Sequence, residues 1–246
     1  MKQDYIMRDL MKKPLPEMPA DIRAQLDAGN VTLVPFAEKD RLIADDSLIY
    51  EVGYKRFPNG NYYCAMYCPM PGITLEMLQW WFWWHAKESA RYRVWFPGEH
   101  FAISYARKDQ DFFRQPKQPP FRANTHFPIE KIGKIALPLK IAFETPEDFG
   151  FDPRLMEEHN VPWVVNGHVG AVYGLVSHTE MAHIFKVVDG TPVLISRFWI
   201  GETLKLPLIR KAMLNDDTAR GMVTHCCIEY RNLAAILPTL YEAYGS

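Results

Sequence analysis

The clearest candidate for chemistry in the sequence is a histidine and a glutamate near the start of a predicted C-terminal helix. Apolar residues recur at helical spacing and predict a buried stripe, formed by Leu233, Ile236, Leu237, Leu240, Tyr241 and Tyr244. Extended toward the N-terminus, the stripe reaches Glu229 and then His225, each four residues from the next. A buried carboxylate needs a cation, a proton or a metal. His225 and Glu229 could ligate one metal together, or could simply hydrogen-bond at a wet, frayed helix start.

Two further histidines are weaker candidates when each is taken alone. His100 follows the turn residues Pro97 and Gly98, an irregular place of the kind where ligands are often presented. His85 ends a tryptophan-rich helix, where the helix dipole would favour a cationic imidazole without any catalytic role. Neither position predicts a site by itself.

Glu130 and His183 lie in strand-like segments. A lone Glu130 would by default pair with Lys131 or face solvent. His183 shares a strand face with Met181 and Phe185 and should therefore point inward. An inward histidine is either a satisfied core residue or an acid/base group that lines a cavity.

The bulk composition excludes several classes of protein. The 246 residues carry a formal net charge of −1, which gives no electrostatic case for binding nucleic acid or an anionic membrane. The most apolar run, Trp80–Trp84, is too short to span a bilayer. No signal peptide is recognisable, and the spacing of the four cysteines is unlike a disulfide framework. We therefore expect a cytoplasmic protein with reduced thiols, whose aromatic content of 13% suits a flat apolar ligand.

Local patterns predict the elements that must position these groups. Residues 1–45 form an N-terminal arm with a short helix after Asp21, and residues 46–246 form the main domain. Helices are predicted from Thr74 to His85 and from His225 to Tyr244. Strands are predicted on both sides of the Pro58-Asn59-Gly60 turn, from Arg93 onward, over 137–143 and 169–177, and in a hairpin over 181–200 that turns at Asp189-Gly190. This order indicates an α+β fold in which a curved antiparallel sheet grips a long C-terminal helix.

Several blocks together resemble the 2,4-diacetylphloroglucinol hydrolase family, which includes bacterial phloretin hydrolase. They are the Trp-rich stretch ending in His85, Arg-Tyr-x-x-Trp-x-Pro-x-x-His at 91–100, the Glu130 segment, Gly-Phe-Asp at 150–152, Ser-Arg-Phe-Trp-x-Gly at 196–201 and His-Cys-x-x-Glu at 225–229. The resemblance implies a helix-grip fold of the Bet v 1 type with a zinc ion in its cavity. The metal ligands that it implies are His100, Glu130, His225 and Glu229, and the implied substrate-contacting residues are Tyr92 and His183.

The resemblance also implies an activity. The expected reaction is zinc-dependent hydrolysis of the carbon–carbon bond between an acyl group and a polyhydroxylated aromatic ring, so the expected partner is a small aromatic ketone. The alternative is a helix-grip carrier that binds hydrophobic small molecules without transforming them. The oligomeric state stays open, although the N-terminal arm could support a homodimer.

Overall fold

The computed structural model describes residues 2–205, residue 208 and residues 214–245. The helices within these ranges are Lys2–Met11 (α1), Ala20–Ala28 (α2), Arg41–Ala44 (α3), Leu75–Trp84 (α4), Ser89–Trp95 (α5), Gln110–Phe113 (α6), Pro153–Glu158 (α7) and Asp216–Tyr244 (α8). The strands are Gly53–Arg56 (β1), Tyr62–Pro69 (β2), His100–Tyr105 (β3), Asn124–Ile132 (β4), Ile135–Glu144 (β5), Trp163–Ala171 (β6), Val176–Val188 (β7) and Thr191–Ile200 (β8).

The described strands form one curved antiparallel sheet in the order β1-β2-β8-β7-β6-β5-β4-β3. Helix α8 packs against β1, β2 and β4, with α4 and α5 beside it. The α+β fold predicted from the sequence, a sheet that grips a long C-terminal helix, is therefore confirmed. The hairpin over 181–200 is also confirmed, since Asp189 and Gly190 both have the positive φ that a tight two-residue hairpin turn requires.

Apolar side chains cover both faces of this sheet. The inner core joins α4, α5 and α8 to the sheet and includes Trp81, Phe198 and Leu233. The outer core is closed by residues 31–49 and by α7, and it contains the buried Trp199. Because both faces are covered, polar groups on the inner face must be satisfied by each other or by a ligand.

Helix α8 begins nine residues earlier than the sequence pattern indicated. The prediction of a start near His225 is wrong, because Asn215 caps the helix by accepting a hydrogen bond from the Thr218 amide at 2.9 Å. Because the first turn of α8 is polar, the spacing of apolar residues did not indicate this start. His225 and Glu229 consequently lie well inside a regular helix, and the frayed-end alternative does not apply to them.

Two strand predictions need correction. Residues 89–95 form helix α5, and the next strand starts at His100 after the turn at Gly98, whose φ is +89°. The continuous strand expected over 169–177 is interrupted at Val172 and Tyr173, where the backbone adopts positive φ values of 52° and 54°. The alternation of apolar and polar residues did not indicate either change, because each depends on where the chain leaves one strand and enters the next.

Candidate active site and metal centre

Three of the predicted metal ligands meet where α8 faces the start of β3. His225 and Glu229 lie one turn apart on α8, and the buried His100 begins β3. The Glu229 carboxylate lies 3.5 Å from Nε2 of His100 and 3.6 Å from Nε2 of His225. One potential ligand atom from each of these residues lies within 4.8 Å of the others.

The fourth predicted ligand, Glu130, reaches the same place from β4. The register of the sheet pairs Glu130 with His100, and their side chains approach to 3.6 Å. The Tyr92 hydroxyl of α5 donates a hydrogen bond to the Glu130 carboxylate. Residues that lie as much as 137 positions apart in the sequence are thus collected into one buried cluster.

The spacing and burial of this cluster fit a divalent cation. Its imidazole–carboxylate separations of 3.5 and 3.6 Å exceed the usual hydrogen-bond length of about 3 Å. They are close to the roughly 3.4 Å that separates two ligand atoms of a tetrahedral zinc ion. In addition, Nε2 of His100 is buried and has no hydrogen-bond partner. An orphaned imidazole nitrogen between two carboxylates is the donor set that a divalent ion would complete.

The charges around Glu229 favour the ionised form of its carboxyl group. Burial by itself would raise the pKa of Glu229, but His225 and His100 outweigh burial and lower it to about 2. Burial would likewise lower the pKa of His225, yet the neighbouring Glu229 raises it overall. Glu229 is therefore ionised at neutral pH, as a metal ligand must be.

A supporting set of contacts holds these residues in place. The Trp95 indole donates to the Glu229 carbonyl oxygen at 3.0 Å, and the Asn232 amide donates to the Trp95 carbonyl oxygen at 2.7 Å. The Tyr92 ring stacks on His100 with a centroid separation of 4.0 Å. Sequence reasoning gave no role to Trp95 or Asn232, although Trp95 lies in the 91–100 block and Asn232 lies three residues after the 225–229 block.

His183 points into the interior, as predicted from strand alternation. Its Nδ1 lies 2.7 Å from the Ser196 hydroxyl on the paired strand β8, and its ring lies 4.8 Å from that of Tyr230, the residue next to Glu229. Burial lowers the pKa of His183 to about 4 despite the opposing influence of Glu229. The imidazole is therefore neutral at pH 7 and able to accept a proton.

A cavity of about 1590 Å³ opens between the sheet and α8. Its lining includes Glu130, His183, His225, Glu229 and Tyr92. Apolar side chains supply much of the remaining wall, among them Phe82, Trp95, Ile103, Leu139, Phe143 and Phe198. This is an enclosure for a largely apolar ligand with a polar cluster at one place on its wall.

Three other histidines also line the cavity, and the sequence analysis missed two of them, His126 and His178. Both His126 and His178 have a buried Nε2 without a hydrogen-bond partner. His126 lies in the strand-like segment of Glu130 and on the same face, which could have suggested an inward side chain, whereas His178 lies between two predicted strands and no pattern indicated it. The interpretation of the third, His85, as a cationic helix end is wrong: its Nδ1 lies 2.7 Å from the Trp81 carbonyl oxygen, and burial lowers its pKa to about 3.

Comparison with known protein families shows that one family matches most of the chain. The family described as "DAPG hydrolase PhiG domain" matches residues 33–242. The chain belongs to this family.

Within the described ranges, no helix combines the length and apolar character needed to cross a membrane.

Relatives with curated names agree with this assignment. The chain is 30% identical over 238 residues to a 2,4-diacetylphloroglucinol hydrolase from a Pseudomonas species, covering 87% of this chain and 79% of the relative. It is also 30% identical over 245 residues to phloretin hydrolase from Eubacterium ramulus, covering 94% of this chain and 87% of the relative. Membership in a family of hydrolases, as the resemblance implied, is confirmed.

Solved structures are more distant from this chain. Protein Ms6760 from Mycobacterium smegmatis aligns with a TM-score of 0.39 and 11% identity, covering 73% of this chain and 94% of that chain. A second protein, TTHA0849 from Thermus thermophilus, aligns with a TM-score of 0.36 and 12% identity, covering 70% of this chain and 97% of that chain.

Proposed function

We propose that the protein is a zinc-dependent hydrolase that cleaves the carbon–carbon bond between an acyl group and a polyhydroxylated aromatic ring. The observation that carries the proposal is the buried group of His100, His225 and Glu229, with Glu130 at 3.6 Å from His100, beside a large cavity. It is supported by relatives named for the hydrolysis of 2,4-diacetylphloroglucinol and phloretin. The substrate class is an acylphloroglucinol or a phloretin-like aryl ketone.

The difficulty of this reaction lies in its leaving group. Water adds its oxygen to the ketone carbon, and the bond from that carbon to the ring breaks. The bonding electron pair returns to the ring and restores its aromaticity, and the ring carbon keeps the proton that it took up in the keto tautomer, so that the products are a polyphenol and a carboxylic acid. Hydroxyl groups on the ring assist, because a keto tautomer makes the departing ring carbon tetrahedral before the bond breaks.

The two histidines and two glutamates of the cluster would hold the ion. Zinc bound there would polarise the ketone oxygen and lower the pKa of water. Tyr92 keeps the Glu130 carboxylate in position through its hydroxyl. Trp95 and Asn232 fix α8 against α5, which keeps Glu229 opposite His100.

His183 is suited to the proton transfer that the ring carbon needs. Its imidazole is neutral because burial lowers its pKa to about 4, so it can accept a proton from a ring hydroxyl and return one to the ring carbon. The Ser196 hydroxyl at Nδ1 orients the ring. The Tyr92 hydroxyl, while it donates to Glu130, can accept a hydrogen bond from a ring hydroxyl and is a second group for binding the substrate.

The test is metal content and turnover measured on the same preparations. Elemental analysis of the purified protein should give about one zinc per chain, and chromatography should show phloretin or 2,4-diacetylphloroglucinol being cleaved. Glu229→Gln should lose both properties. Glu99→Gln is the matched control, because Glu99 lines the same cavity but pairs with Lys131 at 3.1 Å.

The opposite outcome would identify a different kind of protein. A folded wild-type protein that neither contains nor binds zinc, and that binds phloretin without cleaving it, would be a carrier of hydrophobic small molecules. Zinc binding without cleavage of either ketone would point to a different activated substrate.

A further inference from the structure

The cavity has a second polar region, formed by His85 and His126, which the proposed reaction does not use. His126, Pro128 and Glu130 alternate along β4 and all line the cavity, so they share one face of the strand. Four residues of strand place His126 about 13 Å from Glu130 along β4. One strand therefore carries a metal-cluster residue at one point and an unassigned histidine four residues away. The neighbouring His85 lies nearer the cluster, with its ring 5.8 Å from that of Tyr92.

His126 is buried in surroundings that do not satisfy it. It is 2% exposed, and its Nε2 has no hydrogen-bond partner. Its ring lies 4.8 Å from that of Phe143, 5.5 Å from that of Phe113 and 5.4 Å from that of His85. Buried polar groups are nearly always hydrogen-bonded, so an unpartnered nitrogen in a side chain that lines the cavity indicates that something else supplies the bond.

His85 adds a second acceptor to the same region. Its Nδ1 lies 2.7 Å from the Trp81 carbonyl oxygen, and because a carbonyl only accepts, this nitrogen carries the proton. Its Nε2 is therefore an unprotonated acceptor. Burial lowers the pKa of His85 to about 3, and burial together with His85 lowers the pKa of His126 well below its ordinary value. Both rings are neutral at pH 7.

We propose that His126, with His85 beside it, forms a subsite that hydrogen-bonds a hydroxyl group at the far end of the ligand's acyl chain. A neutral imidazole next to aromatic rings offers no charge to a carboxylate or an ammonium group, and such a charge would be poorly solvated there. A hydroxyl can donate to an unprotonated ring nitrogen. The distance along β4 favours a hydroxyl on the acyl group over one on the ring that carries the ketone, which must stay near Glu130.

This inference rests on the proposed function for the identity of the ligand, and it selects aryl ketones whose acyl group ends in a phenol. The probes are phloretin and 2′,4′,6′-trihydroxydihydrochalcone, which lacks only the hydroxyl on the phenylpropanoyl ring. Binding is followed in a stopped-flow instrument by quenching of tryptophan fluorescence before turnover. We expect the wild-type protein to bind phloretin about 3- to 10-fold more tightly, as for one neutral hydrogen bond.

Three variants locate the source of this discrimination. In His126→Phe the two dissociation constants should become equal, while His126→Gln, which keeps an acceptor, should retain part of the preference. Phe143→Leu is the control: it alters an apolar wall residue in contact with His126 and should weaken both ligands alike.

Two results would overturn the subsite: equal affinities for the two probes in the wild-type protein, or an unchanged preference in His126→Phe. The wild-type comparison decides the question even if a variant fails to fold. Turnover is measured separately, so discrimination without cleavage would refute the proposed hydrolase while leaving the subsite intact. Cleavage of the ketones together with equal affinities for the two probes would support the proposed hydrolase and refute the subsite.

Discussion

The Tyr92 hydroxyl donates a hydrogen bond to the Glu130 carboxylate, which joins helix α5 to strand β4 at the edge of the candidate metal centre. The Tyr92 ring also stacks on His100 with an interplanar angle of 5°. One side chain thus orients two of the four proposed ligands. Burial and the nearby Glu130 raise the pKa of Tyr92 well above its ordinary value, so the hydroxyl keeps its proton and remains a donor.

Removing this hydroxyl should weaken metal binding without removing a ligand. We expect Tyr92→Phe to raise the zinc dissociation constant about 10- to 100-fold, as for other groups that orient metal ligands. Competition with a chromophoric chelator measures the change. Tyr63→Phe, which removes the hydroxyl of a buried tyrosine in the outer core, should leave zinc affinity unaltered. Equal affinities for wild type and Tyr92→Phe would show that Glu130 needs no such support.

His183 should affect turnover and leave the metal in place. For His183→Asn we expect kcat to fall by roughly 10²- to 10⁴-fold, the usual contribution of a positioned acid/base group. Zinc content should stay near one per chain. The comparison variant is His159→Asn, at the end of α7 in a position that does not line the cavity. Undiminished kcat in His183→Asn would exclude His183 as the proton shuttle.

Asn232 should contribute to stability through the Trp95 carbonyl oxygen, which loses its side-chain amide donor in Asn232→Ala. Leaving a buried carbonyl without that donor costs about 1–3 kcal/mol. The free energy of unfolding of the zinc-saturated protein, obtained by urea titration, should decrease by that amount. The exposed Asn30 provides a control, since Asn30→Ala should change stability by less than about 0.5 kcal/mol. A decrease in the free energy of unfolding no larger than that of the control would mean that the hydrogen bond from Asn232 contributes little to stability.

His168 should make stability depend on pH. The hydrogen bond that Nδ1 of His168 donates to the Glu180 carboxylate is the main cause that raises the pKa of His168 above its ordinary value of 6.5; partial burial opposes it, and the charges of Glu180 and Glu144 add to it. Because the folded state holds the proton more tightly, this stabilisation is complete below about pH 6.5 and disappears as the pH rises through the raised pKa. The difference in unfolding free energy between wild type and His168→Asn should therefore be larger at pH 5.5 than at pH 8.5. A difference that is constant across this range would contradict the assignment.

Local sequence patterns were sufficient for part of the candidate site. The apolar stripe of α8 placed His225 and Glu229 on its buried face, since helical spacing is set within a few residues. Strand alternation directed His183 inward for the same reason. The proposed roles of His100, Glu130 and Tyr92 came from the family resemblance, because nothing in their own neighbourhoods distinguished them.

Which of these groups come into contact depends on the three-dimensional packing of the strands and helices. His100 approaches Glu130 because β3 pairs with β4 in one particular register, and His100 approaches Glu229 because the sheet curves around α8. The same curvature brings His126 to the cavity wall beside His85. Strand register and sheet curvature are set by packing between distant segments, which no local pattern of residues records. Residue spacing alone was enough to assign the buried faces of the helices and strands, whereas long-range packing sets which of these faces border one cavity.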